Sequence, residues 1–227
     1  MTSDPSPHSK TIAAAGPRPL RLWLEWTLLF VVFPVVMATA NRPELFGKLL
    51  IVITLAGIGL LAITPGFRWR DLRAGGLVGD WRTVGVFTVA TVAICTALVV
   101  WLMPERLLFL PREQTELWLK ILVLYPLLSA VPQELFYRTL FFERYGALFP
   151  DHRWAIAVNA GCFGLAHLFY ANGVAVILTT VGGGVFAWAY AEKRSFGLAC
   201  VLHAIGGLIV FTSGLGLFFY HGAIGRM

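Results

Sequence analysis

The sequence predicts an all-α, polytopic integral membrane protein, built as a helical bundle of about seven to eight transmembrane helices. Of its 227 residues, 58% are hydrophobic and only 13% are charged, and the mean hydropathy is +0.75. Soluble domains are roughly 45–50% apolar and about 25% charged, so a soluble fold could not bury this much apolar surface. A helix needs about 20 apolar residues to cross a hydrocarbon core about 30 Å thick, and runs near this length recur along the chain.

Long apolar runs with few charges give seven candidate spans. Their approximate bounds are Leu22–Ala40, Leu49–Pro65, Val84–Met103, Leu119–Leu140, Trp154–Tyr170, Val174–Ala191 and Phe196–Tyr220. The last run contains Gly206, Gly207, Gly214 and Gly216. Because glycine readily adopts bent backbone conformations, we expect this run to break into a helix and a shorter piece.

The distribution of polar and basic residues predicts the domain organisation and the topology. Residues 1–20 are rich in proline, serine and small residues, which predicts a disordered cytoplasmic tail, and they lack the pattern of a cleaved signal peptide. Residues 21–227 are expected to form a single transmembrane domain. With the amino terminus in the cytoplasm, 12 of the 18 Lys and Arg residues fall on inner segments, which favours this orientation in the cell membrane. The basic residues are scattered between spans, so we expect no nucleic-acid partner.

Ionisable residues inside the predicted spans are few, and their cost in lipid makes each a candidate for function. Apart from Lys120 at the edge of its span, they are Glu25, Glu134, Arg138, His167 and His203. Glu134 and Arg138 are four residues apart, so on a helix they share a face and are expected to pair. Pro132 cannot donate to the carbonyl of Leu128, which predicts a kink or an opened turn just before the pair. The alternative to a functional site is a structural ion pair that holds two helices together.

Two histidines on separate spans are the other candidates. His167 shares a helix face with Phe163 and nearly with Asn159. A single histidine in an apolar helix is more often a hydrogen-bonded core residue, but His203 on another span favours a shared site. Between them, Gly182, Gly183 and Gly184 would allow close helix contact near such a site.

These motifs, in this order, resemble a known family. Gln133-Glu134-x-x-x-Arg138, then Phe163-x-x-x-His167, then a glycine-rich span and His203 are similar to the CPBP family. That family includes type II CAAX prenyl proteases and abortive-infection (Abi) and bacteriocin-processing homologues. The resemblance places a catalytic-type core at about residues 119–216 and implies a membrane-embedded, glutamate-dependent protease fold.

The resemblance also implies roles for individual residues. The family pattern is Glu-Glu-x-x-x-Arg, Phe-x-x-x-His and His-x-x-x-Asn, in which the first Glu and first His activate water. The second His and the Asn stabilise the oxyanion. Carried onto this chain, the pattern makes Glu134, His167, His203 and Gln133 the candidate catalytic residues. Arg138, Phe163, Asn159 and Gly207 would be structural or positioning residues.

Two positions depart from the family pattern. Gln133 stands at the first Glu, and a glutamine amide has no useful basicity, so either Glu134 takes over the role of base or activity is lost. Gly207 stands at the Asn, which removes one oxyanion donor unless a backbone amide, a water or Asn159 replaces it.

The leading hypothesis is therefore an intramembrane endopeptidase of the CPBP type. It would hydrolyse a peptide bond in a membrane-associated protein or peptide within the lipid bilayer, by water activation at a Glu/His site and without a cofactor. A second hypothesis is a catalytically silent member that acts as an immunity or interaction protein. A third is a zinc-dependent membrane hydrolase, with Glu134, His167 and His203 as ligands and one open position.

Overall fold

The computed structural model describes residues 20–40, 46–73 and 80–219, and the regular structure within these ranges is helical. Of the predicted tail, all but Leu20 lies outside the described residues. The long helices are α1 (Leu20–Ala40), α2 (Phe46–Ala62), α3 (Trp81–Leu102), α4 (Thr115–Leu148), α5 (His152–Ala166), α6 (Gly173–Ala191) and α7 (Phe196–Ser213). Short helical turns lie at Trp69–Arg73, Pro104–Arg106, Phe109–Glu113, Leu168–Tyr170 and Leu215–Phe219.

The predicted all-α membrane bundle is confirmed. Among the described residues, five helices are long and apolar enough to cross a membrane, namely α1, α3, α4, α6 and α7. The other two, α2 and α5, have 17 and 15 residues. Large apolar side chains project from the outside of the bundle; Val89, Trp101 and Ile177 are 71%, 79% and 65% exposed. Such a surface requires an apolar solvent, which the hydrocarbon core of a bilayer provides.

Helix α1 closes one side of the core by packing on α4. The buried ring of Phe30 lies 5.0 Å from that of Phe136 and 5.3 Å from that of Phe141, measured between centroids. Nearer the start of α1, Arg144 Nη2 donates to Glu25 Oε2 at 2.7 Å. The intramembrane carboxylate of Glu25 therefore has a charged partner on α4.

Helix α4 is widened in two places. Over Pro126–Ala130 it forms a π-helical turn, in which the N–H of Val131 donates to the carbonyl of Pro126, five residues back. Residues Val131–Glu134 are α-helical, and Leu135–Tyr145 are again π-helical. The predicted opening before Glu134 is thus present, although its widened turn begins at Pro126 rather than Pro132. Proline has no N–H to donate, and a π-helical turn lets a later N–H reach the carbonyl group that proline leaves without a donor.

Helices α5 and α6 approach closely because glycines line their contact. A Cβ added at Gly164 would collide with the Thr180 hydroxyl, and one at Gly183 would lie 3.0 Å from the ring of Phe163. Without these side chains, α6 can support the Phe163 ring, which is 1% exposed. The predicted use of the glycine-rich segment is confirmed for Gly183.

Side-chain caps fix where several helices begin. Asp80 Oδ1 accepts from the N–H of Thr83 at the start of α3, and Ser195 Oγ accepts from the N–H of Leu198 at the start of α7. Lys193 donates to Asp80 Oδ2 at 2.8 Å, and this hydrogen bond holds the pKa of Asp80 well below its usual range. At the other end, α7 stops at Gly214, whose φ of +118° favours glycine, and a short turn follows. The predicted break of the last span is confirmed.

Candidate active site

The Glu134 carboxylate is the centre of a buried polar cluster. Its Oε1 accepts from His203 Nδ1 at 2.8 Å, and its Oε2 lies 3.2 Å from Arg138 Nε. Glu134 and Arg138 are both 0% exposed. The expected pairing of these two residues is confirmed. Within the described residues, neither Oε2 nor Nε makes an aligned hydrogen bond, so this contact is an ion pair held by charge and packing.

Arg138 joins the cluster to helix α5. Its Nη1 donates to Asn159 Oδ1 at 2.8 Å, and Asn159 Nδ2 donates to the carbonyl of Tyr137. Its guanidinium carbon lies 4.6 Å from the centroid of the Phe163 ring, within cation–π range. Asn159 therefore fixes the guanidinium group of Arg138, and Arg138 in turn fixes the carboxylate of Glu134.

The imidazole of His203 is held on three sides. A carboxylate only accepts, so Nδ1 carries the proton that His203 donates to Glu134. The ring stacks on Phe186 at 4.9 Å and 11°, and it meets the edge of Phe163 at 5.4 Å. Its orientation is fixed, which leaves Nε2 as the atom that can act on another group.

His167 lies at the end of α5, beyond the last helical turn. Its Nδ1 lies 2.7 Å from the carbonyl of Phe163, and a carbonyl only accepts, so Nδ1 is the donor. In the neutral ring Nε2 is then the basic nitrogen. The Phe163 ring contacts both imidazoles. The distance between ring centroids is 4.7 Å to His167 and 5.4 Å to His203, so the two histidines flank the same phenylalanine.

Gln133 and His167 line one cavity of about 60 Å³. This volume has room for a few water molecules. Gln133 Nε2 donates to Ser129 Oγ at 2.8 Å, which fixes the amide and leaves its oxygen as an acceptor. The other walls are mostly apolar and come largely from α1 and α2, including Phe33, Met37 and Leu50. The pocket is therefore mostly apolar, with Gln133 and His167 as polar side chains in its wall.

Glu134 does not line this cavity, although it is next to Gln133 in the chain. Adjacent residues on a helix diverge by about 100°, and the carboxylate of Glu134 faces His203 and Arg138 instead. The residues predicted from the sequence thus form two neighbouring groups. One holds Gln133 with His167, and the other holds Glu134 with His203, Arg138 and Asn159.

Tyr125 is a site residue that the sequence did not reveal. A Cβ added at Gly207 would collide with the hydroxyl and ring of Tyr125, so the end of this side chain rests on the Gly207 backbone. The ring also meets His203 edge-on, at 6.1 Å. In an apolar run, a tyrosine resembles any core aromatic residue, so only the tertiary contact identifies it.

The described part of the chain contains no group of three His, Cys, Asp or Glu residues that could hold a metal ion. The sequence suggested a zinc site formed by Glu134, His167 and His203. Here Glu134 Oε1 and His203 Nδ1 are used in a hydrogen bond with each other, and His167 Nδ1 is bonded to its own helix. The His203 imidazole contacts the Glu134 carboxylate, and both imidazoles contact Phe163.

Comparison with known proteins agrees with the motifs. The family model described as Type II CAAX prenyl endopeptidase Rce1-like matches residues 115–209, a segment that holds Gln133, Glu134, His167, His203 and Gly207. No curated protein and no solved structure matches the chain. The resemblance inferred from the motifs is therefore confirmed at the level of the family. Over residues 115–209 the chain is therefore similar to the type II CAAX prenyl endopeptidase Rce1-like family.

Proposed function

We propose that the protein is an intramembrane endopeptidase that hydrolyses a peptide bond of a membrane-associated protein or peptide, with water activated between His167 and Gln133. The observation that carries this proposal is the shared cavity, which both side chains line and whose other walls are mostly apolar. The match of residues 115–209 to a CAAX-type peptidase family supports the reaction class. Peptide hydrolysis needs a base, a polarising group and shielding from bulk solvent, and the site has a candidate for each.

His167 would serve as the general base. Its Nδ1–H donates to the Phe163 carbonyl, so Nε2 of the neutral ring is able to take a proton from water. The resulting hydroxide attacks the carbonyl carbon, and the carbonyl oxygen becomes an oxyanion. As the C–N bond breaks, Nε2 returns the proton to the leaving amine. Gln133 would accept a hydrogen bond from the water and position it, because its amide cannot remove a proton.

His203 would stabilise the oxyanion. Donation from Nδ1 to the Glu134 carboxylate fixes the ring, and in the doubly protonated imidazolium Nε2–H would be the donor to the developing charge. Glu134 acts through His203, Arg138 pairs with Glu134, and Asn159 holds Arg138. In this scheme Glu134 is a positioning residue, whereas the alternative from the sequence made it the base.

The apolar walls of the cavity suit a substrate that arrives from the bilayer. A prenylated CAAX peptide is the first probe to use, because the family description names that substrate class. A library of single-span peptides provides the wider test. Liposomes are the appropriate medium, because both the enzyme and its substrate require a bilayer.

The experiment compares the wild type with His167→Gln in liposomes, in H₂¹⁸O, with products identified by mass spectrometry. We expect the wild type to cleave and to place one ¹⁸O in the new carboxyl group. His167→Gln should lower kcat by at least about 10²-fold. His152→Gln is the matched control, because His152 is an exposed histidine at the other end of the same helix. Equal cleavage by both variants would contradict the role of His167.

The second candidate is a catalytically silent member that binds a membrane partner. Gln133 favours it, because the position that the family pattern gives to a glutamate has an amide here. A silent member would bind peptides from the same library without cleaving them, and His167→Gln would leave that binding unchanged. Product formation by the wild type separates the two candidates directly.

A further inference from the structure

We propose that Tyr125 supplies the oxyanion donor that the family pattern assigns to an asparagine at position 207, so that its phenol acts beside His203. The inference rests on the proposed function, because it concerns the same reaction at the same site. It explains together two features of the chain, the glycine at position 207 and a tyrosine held against it.

Steric exclusion is the first argument. The hydroxyl, Cζ and Cε1 of Tyr125 occupy the space in which a Cβ at position 207 would lie. Any side chain at this position, including asparagine, is therefore incompatible with Tyr125 in its present place. Position 207 follows His203 by four residues on the same helix face, so the phenol lies one turn beyond that histidine along α7. Tyr125 thus occupies the space that an asparagine side chain at position 207 would need.

The second argument concerns orientation. The Tyr125 ring packs edge-on against Phe211 at 5.5 Å and against His203 at 6.1 Å, between centroids. These contacts, with the Gly207 backbone at its tip, fix the position of the hydroxyl oxygen, so only rotation of the O–H bond is left. A donor fixed before the reaction costs no reorganisation when charge develops, which is the property that an oxyanion site requires.

The third argument concerns hydrogen bonding. Among the described residues, the Tyr125 hydroxyl makes no hydrogen bond, whereas Tyr145 and Tyr190 in the same bundle each donate to a glutamate. A phenol in an apolar bundle usually finds a partner, since an unsatisfied polar group is costly there. A substrate oxyanion would complete the hydrogen bond, and O–H···O⁻ bonds are short and strong.

The test uses Tyr125→Phe, which keeps the ring and removes only the hydroxyl. We expect kcat to fall by about 10²-fold with KM nearly unchanged, as for the loss of one oxyanion donor. Tyr190→Phe is the matched control, because it removes a phenol hydroxyl that donates to Glu143 outside the site. It should retain wild-type kcat.

A rescue variant separates chemistry from packing. Gly207→Asn alone should lose activity, because its side chain collides with Tyr125. In a Tyr125→Ala background the collision is gone, so Tyr125→Ala/Gly207→Asn should have at least about tenfold higher kcat than Tyr125→Ala, since an amide donor is restored. Melting temperatures show which variants remain folded. Equal kcat for the single and double variants would contradict the exchange of donors.

A binding measurement makes the inference independent of turnover. The probes are a peptidyl phosphinate, which imitates the tetrahedral anion, and the isosteric peptide with a methylene in place of the phosphinate. Both are built on the peptide that the wild type cleaves, or on a prenylated CAAX peptide if it cleaves none. Tyr125→Phe should weaken phosphinate binding by about 10²-fold and leave methylene binding unchanged.

The outcomes distinguish this inference from the proposed function. Absence of cleavage with Tyr125-dependent phosphinate binding would overturn the proposed peptidase activity and support the donor role. Cleavage with kcat and phosphinate affinity within twofold of wild type in Tyr125→Phe would overturn the inference alone. A wild type that binds the phosphinate no more tightly than the methylene peptide would also overturn the inference.

Discussion

Glu134 Oε1 accepts a hydrogen bond of 2.8 Å from His203 Nδ1, and this contact joins residues 69 positions apart in the chain. Glu134, the one carboxylate of the motif, therefore orients the His203 imidazole. The position next to it, Gln133, faces the cavity with His167. The site therefore separates the group that would stabilise charge from the group that would activate water.

We expect Arg138→Ala to destabilise the protein by about 3–5 kcal/mol, because it leaves the buried carboxylate of Glu134 without its cation. Removing both charges in Arg138→Ala/Glu134→Ala should cost less than the single change. Denaturation in mixed micelles, followed by circular dichroism, measures both. Lys120→Ala is the control, since its partner Glu116 is exposed, and it should cost less than about 0.5 kcal/mol. If the double variant is no more stable than Arg138→Ala, the claim that Arg138 compensates the buried charge of Glu134 is wrong.

We expect Gly164→Ala to destabilise the bundle by about 1–3 kcal/mol, because the added Cβ collides with Thr180 at the α5–α6 contact. Gly161→Ala, on the same helix, should be neutral or slightly stabilising, because its Cβ meets nothing within 4 Å. Thr180→Ala removes the colliding hydroxyl and should recover part of the loss. The melting temperatures of these variants are the measurement, and equal values for the two glycine variants would refute the close contact.

We propose a cytoplasmic amino terminus, and cysteine labelling tests it. Glu105 is exposed just after α3 and should lie outside. Glu105→Cys should react with a membrane-impermeant maleimide in intact cells, and Ser6→Cys only after permeabilisation. The native cysteines Cys95, Cys162 and Cys200 are buried, so the unaltered protein gives the background. Labelling of Ser6→Cys from outside would reverse the orientation.

The sequence was sufficient for features that depend on neighbours along the chain. The i,i+4 spacing predicted the Glu134–Arg138 pair, and glycines predicted the break at Gly214. The opened turn of α4 was predicted from Pro132, yet the π-helical turn spans Pro126–Ala130 and begins at a second proline. Local rules locate such features to within about a turn.

Features that depend on tertiary packing were beyond the sequence. Periodicity alone placed Gln133 and Glu134 on diverging faces, but which of them meets His167 depends on how α1, α2 and α5 close the cavity. The role of Gly207 was likewise hidden. Considered alone, Gly207 means only that the asparagine of the family pattern is absent. The side chain that fills its space is Tyr125, 82 residues earlier in the chain.

The central claim is that positions 133 and 167 act on the same water, and a double-mutant cycle in kcat tests it most directly. Gln133→Glu adds a titratable carboxylate to the cavity and should raise kcat for the peptide cleaved by the wild type, or initiate cleavage if there is none. Gln114→Glu, the same change outside the site at the start of α4, should have no effect. In the His167→Gln background, the gain from Gln133→Glu should disappear, because the two groups act as a unit. A gain of the same size without His167, or no gain with it, would contradict the claim.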